Sequence, residues 1–220
     1  MQQLAVILLS GGMDSATIAA IAKNEGYELA ALHLNYGQRT ESRELKSFSD
    51  LCDFFDIKHR LVVDIKYLSQ IGGSSLTDFN INVEKGNLDN EDIPATYVPF
   101  RNANILAIAT SWSEVIGAKA LFIGAMEGDS SGYPDCRKSF FDAFQDAINL
   151  GTKPETIIKI KIPIINFSKS DIVKKGLELN VPFELTWSCY QNSEIPCGEC
   201  DSCLLRKRGF EIAAIIDPLT

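Results

Sequence analysis

Positive charge is in short supply in this chain of 220 residues: 21 lysines and arginines face 29 acidic residues, a net charge of −8 at pH 7. Broad nucleic-acid binding needs many phosphates neutralised by Lys and Arg, so direct contact with nucleic acid is not expected. No apolar run is long enough to cross a bilayer, which leaves no membrane partner to consider. Met1-Gln2-Gln3 carries no basic n-region, so the segment does not read as a signal peptide and the expected compartment is the cytoplasm. Repeats, low-complexity tracts and long polar linkers are missing too, and the length suits one large core with small insertions. Histidine occurs twice, and neither copy points to catalysis: His33 alternates within an apolar segment and His59 precedes one.

What is present begins at once. Leu4 to Leu9 form a continuous apolar run suited to a buried parallel strand, and Ile18, Ile21 and Ala22 then recur at helical spacing. Between them lies Ser10-Gly11-Gly12-Met13-Asp14-Ser15. Two glycines allow close backbone approach, two serines add hydroxyls, and the amides at the start of the following helix face the same space, a combination that suits phosphate. The Walker spacing is absent and no lysine follows the glycines, so a different phosphate chemistry is implied. Ser-Gly-Gly-x-Asp-Ser after an N-terminal strand resembles the signature of the ATP pyrophosphatase, or PP-loop, superfamily, whose members split ATP between the α and β phosphates. On that resemblance Leu9, Ser10, Gly11, Gly12, Met13, Asp14 and Ser15, with Ala16, Thr17, Ile18 and Ala19 on the first helical turns, are the expected ATP-binding residues.

Further strands are expected at Glu28 to Tyr36, Leu61 to Val63, Ala118 to Gly124 and, interrupted by Pro163, Ile160 to Ile165. Helices are expected at about 40–55, 102–115 and 138–150, with another starting at Ser168 or Ser170. This alternation predicts an α/β fold, a doubly wound parallel sheet with its ligand at the carboxyl ends of the strands. From Ile65 to Thr96 the periodicity fails, and a loop that long suits a lid, a partner contact or disorder. Two basic clusters, one of Lys159, Lys161, Lys169, Lys174 and Lys175 and one of Arg206-Lys207-Arg208, read as solvated faces.

Four of the six cysteines crowd together as Cys189, Cys197, Cys200 and Cys203, with Gly198 relaxing the turn. In a cytoplasmic chain this reads as metal, and four thiolates suit a closed structural zinc site; an iron–sulfur cluster is the rival, and zinc is favoured because Leu204-Leu205-Arg206-Lys207 follow Cys203 where the ferredoxin pattern continues with a further Cys and Pro. We therefore expect a PP-loop domain over 1–185 and a small zinc-binding module over 186–220. Cys52 reads as core, and Cys136 sits in a loop.

Taken together, Leu9 to Ser15, Tyr36-Gly37-Gln38-Arg39, Gly73 to Asp78, Val98-Pro99 with Arg101-Asn102, Ser131 to Arg137, Thr186 to Tyr190 and Cys197 to Cys203 resemble the 7-cyano-7-deazaguanine synthases over nearly the whole chain. Such enzymes convert 7-carboxy-7-deazaguanine, ammonia and ATP into a nitrile used for queuosine and other deazapurines. The resemblance implies an acyl adenylate, its displacement by ammonia, and a second activation of the amide, with ammonia from solution or a partner and a homodimeric enzyme. It implies catalytic roles for Asp14, Ser15, Arg39, Arg101 and Arg137, with Asp14 a candidate Mg2+ contact and structural ion pairing the alternative for each arginine. Tyr36, Gln38, Asn102, Ser131, Tyr133, Asp135 and Trp187 are the expected substrate residues. Asp135 or Ser131 would hold ring nitrogens, and Tyr133 or Trp187 would stack on the base or pack. Three positions depart from the family pattern. Thr40 replaces a common His, Ser130 replaces an aromatic, and Phe100 replaces a small residue and should narrow the pocket near Arg101. Related deazaguanine ligases of bacterial defence systems, tRNA sulfurtransferases and a binding module without turnover are the alternatives.

Overall fold

The computed structural model describes residues 2–86, 92–127 and 132–219. Its centre is a five-stranded, all-parallel sheet in the order β3-β2-β1-β4-β5. The strands are β1 (Leu4–Leu8), β2 (Glu28–Asn35), β3 (His59–Asp64), β4 (Ala120–Phe122) and β5 (Lys159–Lys161). β1 is apolar throughout because both its neighbours and both covering layers exclude water: Ala5, Val6 and Ile7 are fully buried. Alternate residues feed two cores. Ala5, Ile7 and Leu9 face one with Phe48 and Phe122, while Val6 and Leu8 face the other with Leu106 and Phe141.

The helices are α1 (Met13–Asn24), α2 (Glu41–Phe54), α3 (Tyr67–Ile71), α4 (Arg101–Ile116), α5 (Lys138–Gly151), α6 (Lys169–Glu178) and α7 (Asp201–Ile212). At α6 the cap is Ser168, whose hydroxyl accepts from Asp171 N while the Asp171 carboxylate accepts from Ser168 N, a capping box. The chain reverses its winding between β1 and β4, so the β1–α1 loop opens onto the crevice where ligands of such sheets bind.

Several expectations are corrected in detail. The last strand ends at Lys161, since Pro163 offers no amide to continue the ladder and the chain enters a turn closed by Ile165 N donating to Ile162 O. His59 opens β3 rather than preceding it. The 65–96 segment holds α3 and a turn-rich stretch held by Arg39, which donates to the carbonyls of Ser75 (2.7 Å), Asp78 (3.0 Å) and Ile81 (2.7 Å). Asn87 and Asp89 to Glu91 of that segment lie outside the described residues. Arg206 is not solvated. It is 4% exposed, paired to Asp217 at 2.7 and 2.8 Å, and donates to Thr186 Oγ1 and Phe183 O. Lys169 is likewise buried, for a reason given below.

The carboxyl-terminal segment is joined closely to the rest. Phe210 of α7 packs with Phe183 in the α1 core, and an added Cβ at Gly209 would lie 2.9 Å from Lys169 Cβ, so α7 and α6 meet backbone to backbone. Gly86 N donates to Glu199 O at 2.7 Å, which ties the 78–86 stretch to the cysteine-rich turn.

Candidate active site

As β1 ends, Leu9 N still donates to Leu32 O at 2.9 Å, and the chain then turns sharply. Gly11 makes that turn at φ +93°, and a Cβ there would sit 2.7 Å from the Glu44 carbonyl oxygen and 2.9 Å from Ser47 Cβ, so α2 presses directly on the loop. Ser15 Oγ donates to Gly12 O (2.9 Å), Ser10 Oγ donates to Ser15 Oγ (3.1 Å), and Gly12 N donates to Ser10 Oγ (3.3 Å). The two hydroxyls are thereby aligned at the start of α1. The Gly12 N-cap provides no side-chain acceptor, which leaves the first-turn amides of the helix directed at whatever occupies the crevice.

Asp14, in that first turn, is met from the opposite side by Lys169, whose Nζ lies 2.9 and 2.7 Å from the two carboxylate oxygens. A lysine missing from the loop's own sequence thus arrives from the start of α6. On the third side Trp187 N donates to Gly11 O at 2.9 Å, and the indole, 4% exposed, carries the Arg43 guanidinium 4.6 Å over its ring while donating to Asn192 O. On the fourth, Gly124 after β4 leaves room against Asp14, where a Cβ would be 3.4 Å from its carbonyl carbon.

These walls enclose a cavity of about 250 Å³. Its lining includes Ser10, Gly12, Asp14, Ser15 and Lys169, a set suited to phosphate, and Tyr36, Glu44, Arg101, Asn102 and Tyr190. Arg101 stands 5.3 Å over the Tyr36 ring and donates to its hydroxyl at 3.2 Å. Burial pushes the Tyr36 phenol up to about 12, so it stays protonated and neutral. Burial also raises the Glu44 carboxyl above the usual range, against hydrogen bonds from Thr40 Oγ1 (2.7 Å) and Gln38 Nε2 (3.2 Å).

Of the residues expected from the sequence, Leu9, Ser10, Gly12, Met13, Asp14, Ser15, Tyr36, Arg101, Asn102 and Trp187 line this cavity. Ala16, Ile18 and Ala19 belong to the core behind the loop, and Thr17 Oγ1 is spent on Met13 O. Gln38 acts one layer out, accepting from Tyr36 N and holding Glu44. Arg39 clamps the 75–81 turns and lies 4.7 Å over Phe79. Arg137 is exposed at the start of α5. Tyr133 shares a hydrogen bond with Thr96, and Asp135 caps α4 by accepting from Asn102 N at 2.9 Å. Ser131 and Ser130 lie outside the described residues. The expectation that Phe100 narrows the pocket is corrected: at φ +56° it turns outward, 61% exposed, with its ring edge toward Phe140.

Sequence reasoning missed Lys169, Glu44, Tyr190, Ser188 and Ser202, all of which line the cavity. For Glu44 a signal existed, the i,i+4 spacing from Thr40; for Lys169 it was only the strong helix start beside it.

Beyond Trp187 the sulfurs of Cys189, Cys197, Cys200 and Cys203 lie within 4.8 Å of one another. A tetrahedral metal–sulfur length of ~2.3 Å requires sulfurs ~3.8 Å apart, and Cys197 and Cys203 stand at 3.9 Å. Cys189 Sγ accepts from the backbone of Gln191, Asn192 and Cys197. Hydrogen bonds from Cys200 and Cys203, with those amides, hold its thiol below the ordinary value. Four thiols with donors already aimed at one sulfur form a donor set that fits a metal ion.

A family model described as queuosine biosynthesis protein QueC matches residues 4–214. The 7-cyano-7-deazaguanine synthase of Chloroherpeton thalassium is 58% identical over 215 residues, 98% of this chain and 95% of that one. The synthase of Chlorobium phaeobacteroides (strain BS1) is 57% identical over the same length and shares. Among solved structures, a 4-thiouridine synthetase in complex with RNA and bound ATP aligns at TM-score 0.58 and 20% identity, covering 93% of this chain and 49% of that one. NMN synthetase from Francisella tularensis aligns at 0.52 and 15%, covering 98% and 78%. The two structural likenesses establish the fold, and the sequence matches carry more.

Proposed function

This chain belongs to the QueC family of queuosine biosynthesis proteins, and on that premise we propose that it makes 7-cyano-7-deazaguanine from 7-carboxy-7-deazaguanine, ammonia and ATP. The observation that carries this reading is the lining of one cavity by two sets of groups: serines, helix amides and a lysine that suit phosphate, and an arginine beside tyrosines that suits a carboxylate.

A carboxylate oxygen is a poor leaving group, so it must first be converted to an acyl adenylate. The Ser10–Ser15 loop and α1 amides hold the departing pyrophosphate, and the Lys169 ammonium offsets the charge that develops as the α–β bond breaks. Arg101 binds the substrate carboxylate, oriented by its contact with Tyr36. Ammonia displaces AMP to give the amide. The same loop then serves a second ATP, which activates the amide oxygen for loss as AMP and leaves the nitrile.

Mg2+ would supply charge neutralisation at the phosphates, with Asp14 the loop carboxylate available to it. Zinc would be held by Cys189, Cys197, Cys200 and Cys203 as a structural ion, bracing Trp187 against Gly11. We read the protein as cytoplasmic, without a nucleic-acid partner given its charge of −8, and homodimeric. Ile71, Phe79, Ile93 and Phe100 stand exposed along the 67–100 segment in support of the last point. No described helix is long and apolar enough to cross a membrane.

Mass spectrometry of products from ATP, ammonia and 7-carboxy-7-deazaguanine tests the reading. The expected result is the nitrile with two AMP formed per nitrile. ADP as the nucleotide product, or only amide under saturating ATP and ammonia, overturns it.

A further inference from the structure

Glu44 has no role in the steps just described, yet it is a carboxylate among the residues that line the cavity, and two side chains hold it there. Oε1 accepts from Thr40 and Oε2 from Gln38, and Gln38 is itself oriented by accepting from Tyr36 N. Both donors are neutral, and Arg101 acts on the carboxylate only through space. A partly buried carboxylate stabilised by neutral partners is a costly structural device, because a glutamine would satisfy similar hydrogen bonds without desolvating a charge. Each carboxylate oxygen keeps lone-pair capacity beyond its one donor, and Glu44 lines the cavity together with Arg101 and Tyr36.

The reaction needs such a group. Near neutral pH the nitrogen source is almost entirely ammonium, which has no lone pair with which to attack. We propose that Glu44 is the catalytic base for the nitrogen: its carboxylate draws ammonium into the cavity, takes one proton from it, and releases ammonia beside the activated carbonyl. The inference rests on the proposed function. The new carbon–nitrogen bond forms with the ammonia lone pair, the carbon–oxygen bond to AMP breaks with its electrons leaving on the AMP phosphate, and the nitrogen sheds a second proton. The product is the amide, with two protons released, one by way of Glu44. Burial, which raises this carboxyl, brings its basicity closer to that of a proton acceptor working near neutrality.

The test replaces the nucleophile. Hydroxylamine is neutral near neutral pH and can attack without prior deprotonation, giving a hydroxamate from the same acyl adenylate. Glu44→Gln is expected to lower ammonium-dependent AMP release about 100-fold, and to raise the KM for ammonium, while hydroxylamine-dependent AMP release falls far less. Equal losses with both nucleophiles, or no loss with either, overturn the assignment. Should Glu44→Gln melt below the assay temperature, Glu44→Asp, which keeps the charge but withdraws it by one methylene, must show the same selective loss. Failure of the proposed function would look different: wild-type protein would then form no AMP from ATP and the acid with either nucleophile.

Discussion

Lys169 and Asp14 stand 155 residues apart in sequence, yet the lysine Nζ bridges both carboxylate oxygens at 2.7 and 2.9 Å, sealing the first turn of α1 to the first residue of α6. The pair places a cation where the loop itself has none. Lys169→Ala should therefore lower the rate of AMP formation by about 100- to 1,000-fold, the loss typical of one transition-state charge contact. Steady-state AMP release checks this, with near-ultraviolet circular dichroism to show that the fold persists.

Neighbouring glycines of the loop should respond differently. Gly11→Ala combines a positive φ with a contact of 2.7 Å to the Glu44 carbonyl and is expected to destabilise the fold by about 2–4 kcal/mol. At Gly12 the nearest atoms to a new Cβ are 3.5 Å away, so Gly12→Ala should fold normally and lose ATP affinity instead. Urea unfolding and calorimetric ATP titration separate the two effects.

Metal removal should be felt at the loop. One zinc per chain is expected by elemental analysis, and stripping it with a chelator, or replacing Cys200 by Ser, should lower Tm. Because Trp187 N holds Gly11 O, ATP affinity should also weaken, about tenfold. Metal-free protein that keeps full ATP affinity would break this link.

Arg206 and Asp217 form a buried pair, 4% and 8% exposed. Asp217→Ala leaves the guanidinium uncompensated and should cost about 3–5 kcal/mol, whereas replacing both by apolar residues of similar volume should recover most of that. Urea midpoints of the single and double variants give the comparison.

The raised carboxyl of Glu44 predicts a pH signature of the opposite sign to an ordinary ion pair. Its folded form holds the proton to higher pH than the unfolded chain does, so stability is fully present below the unfolded value and declines as pH rises through the folded one. Arg101 opposes this shift, while Glu41 adds to it. Glu44→Gln should thus gain Tm over wild type near pH 8 and lose that advantage near pH 4, as thermal melts across the range would show.

Where chemistry-bearing residues are contiguous, the sequence is legible: β1, the loop and α1 stand as expected, and so does the cysteine cluster, because strand, turn and ligand spacing are all local. Parallel order follows from alternation. What could not be read is what crosses the sheet. Lys169 looks like one member of a lysine-rich face, and only the meeting of α6 with α7 at Gly209 buries it. Arg206 looks solvated beside Lys207 and Arg208 until the turn at Asp217 brings a carboxylate back to it. Phe100 reads as a pocket residue by its place next to Arg101, but a left-handed backbone sends the two side chains apart.

The hydrogen bond from Trp187 to Gly11 also orders events in time. The Ser10–Ser15 loop leaves the ribosome well before the residues that close on it, with its serines and its helix already encoded locally. Its lysine stands 155 residues beyond Asp14, and its clamp and the cysteine cluster beside the clamp follow later still. A nascent chain can therefore carry the complete signature and still lack a closed site, and ATP turnover should appear only once α7 has emerged and docked on α6.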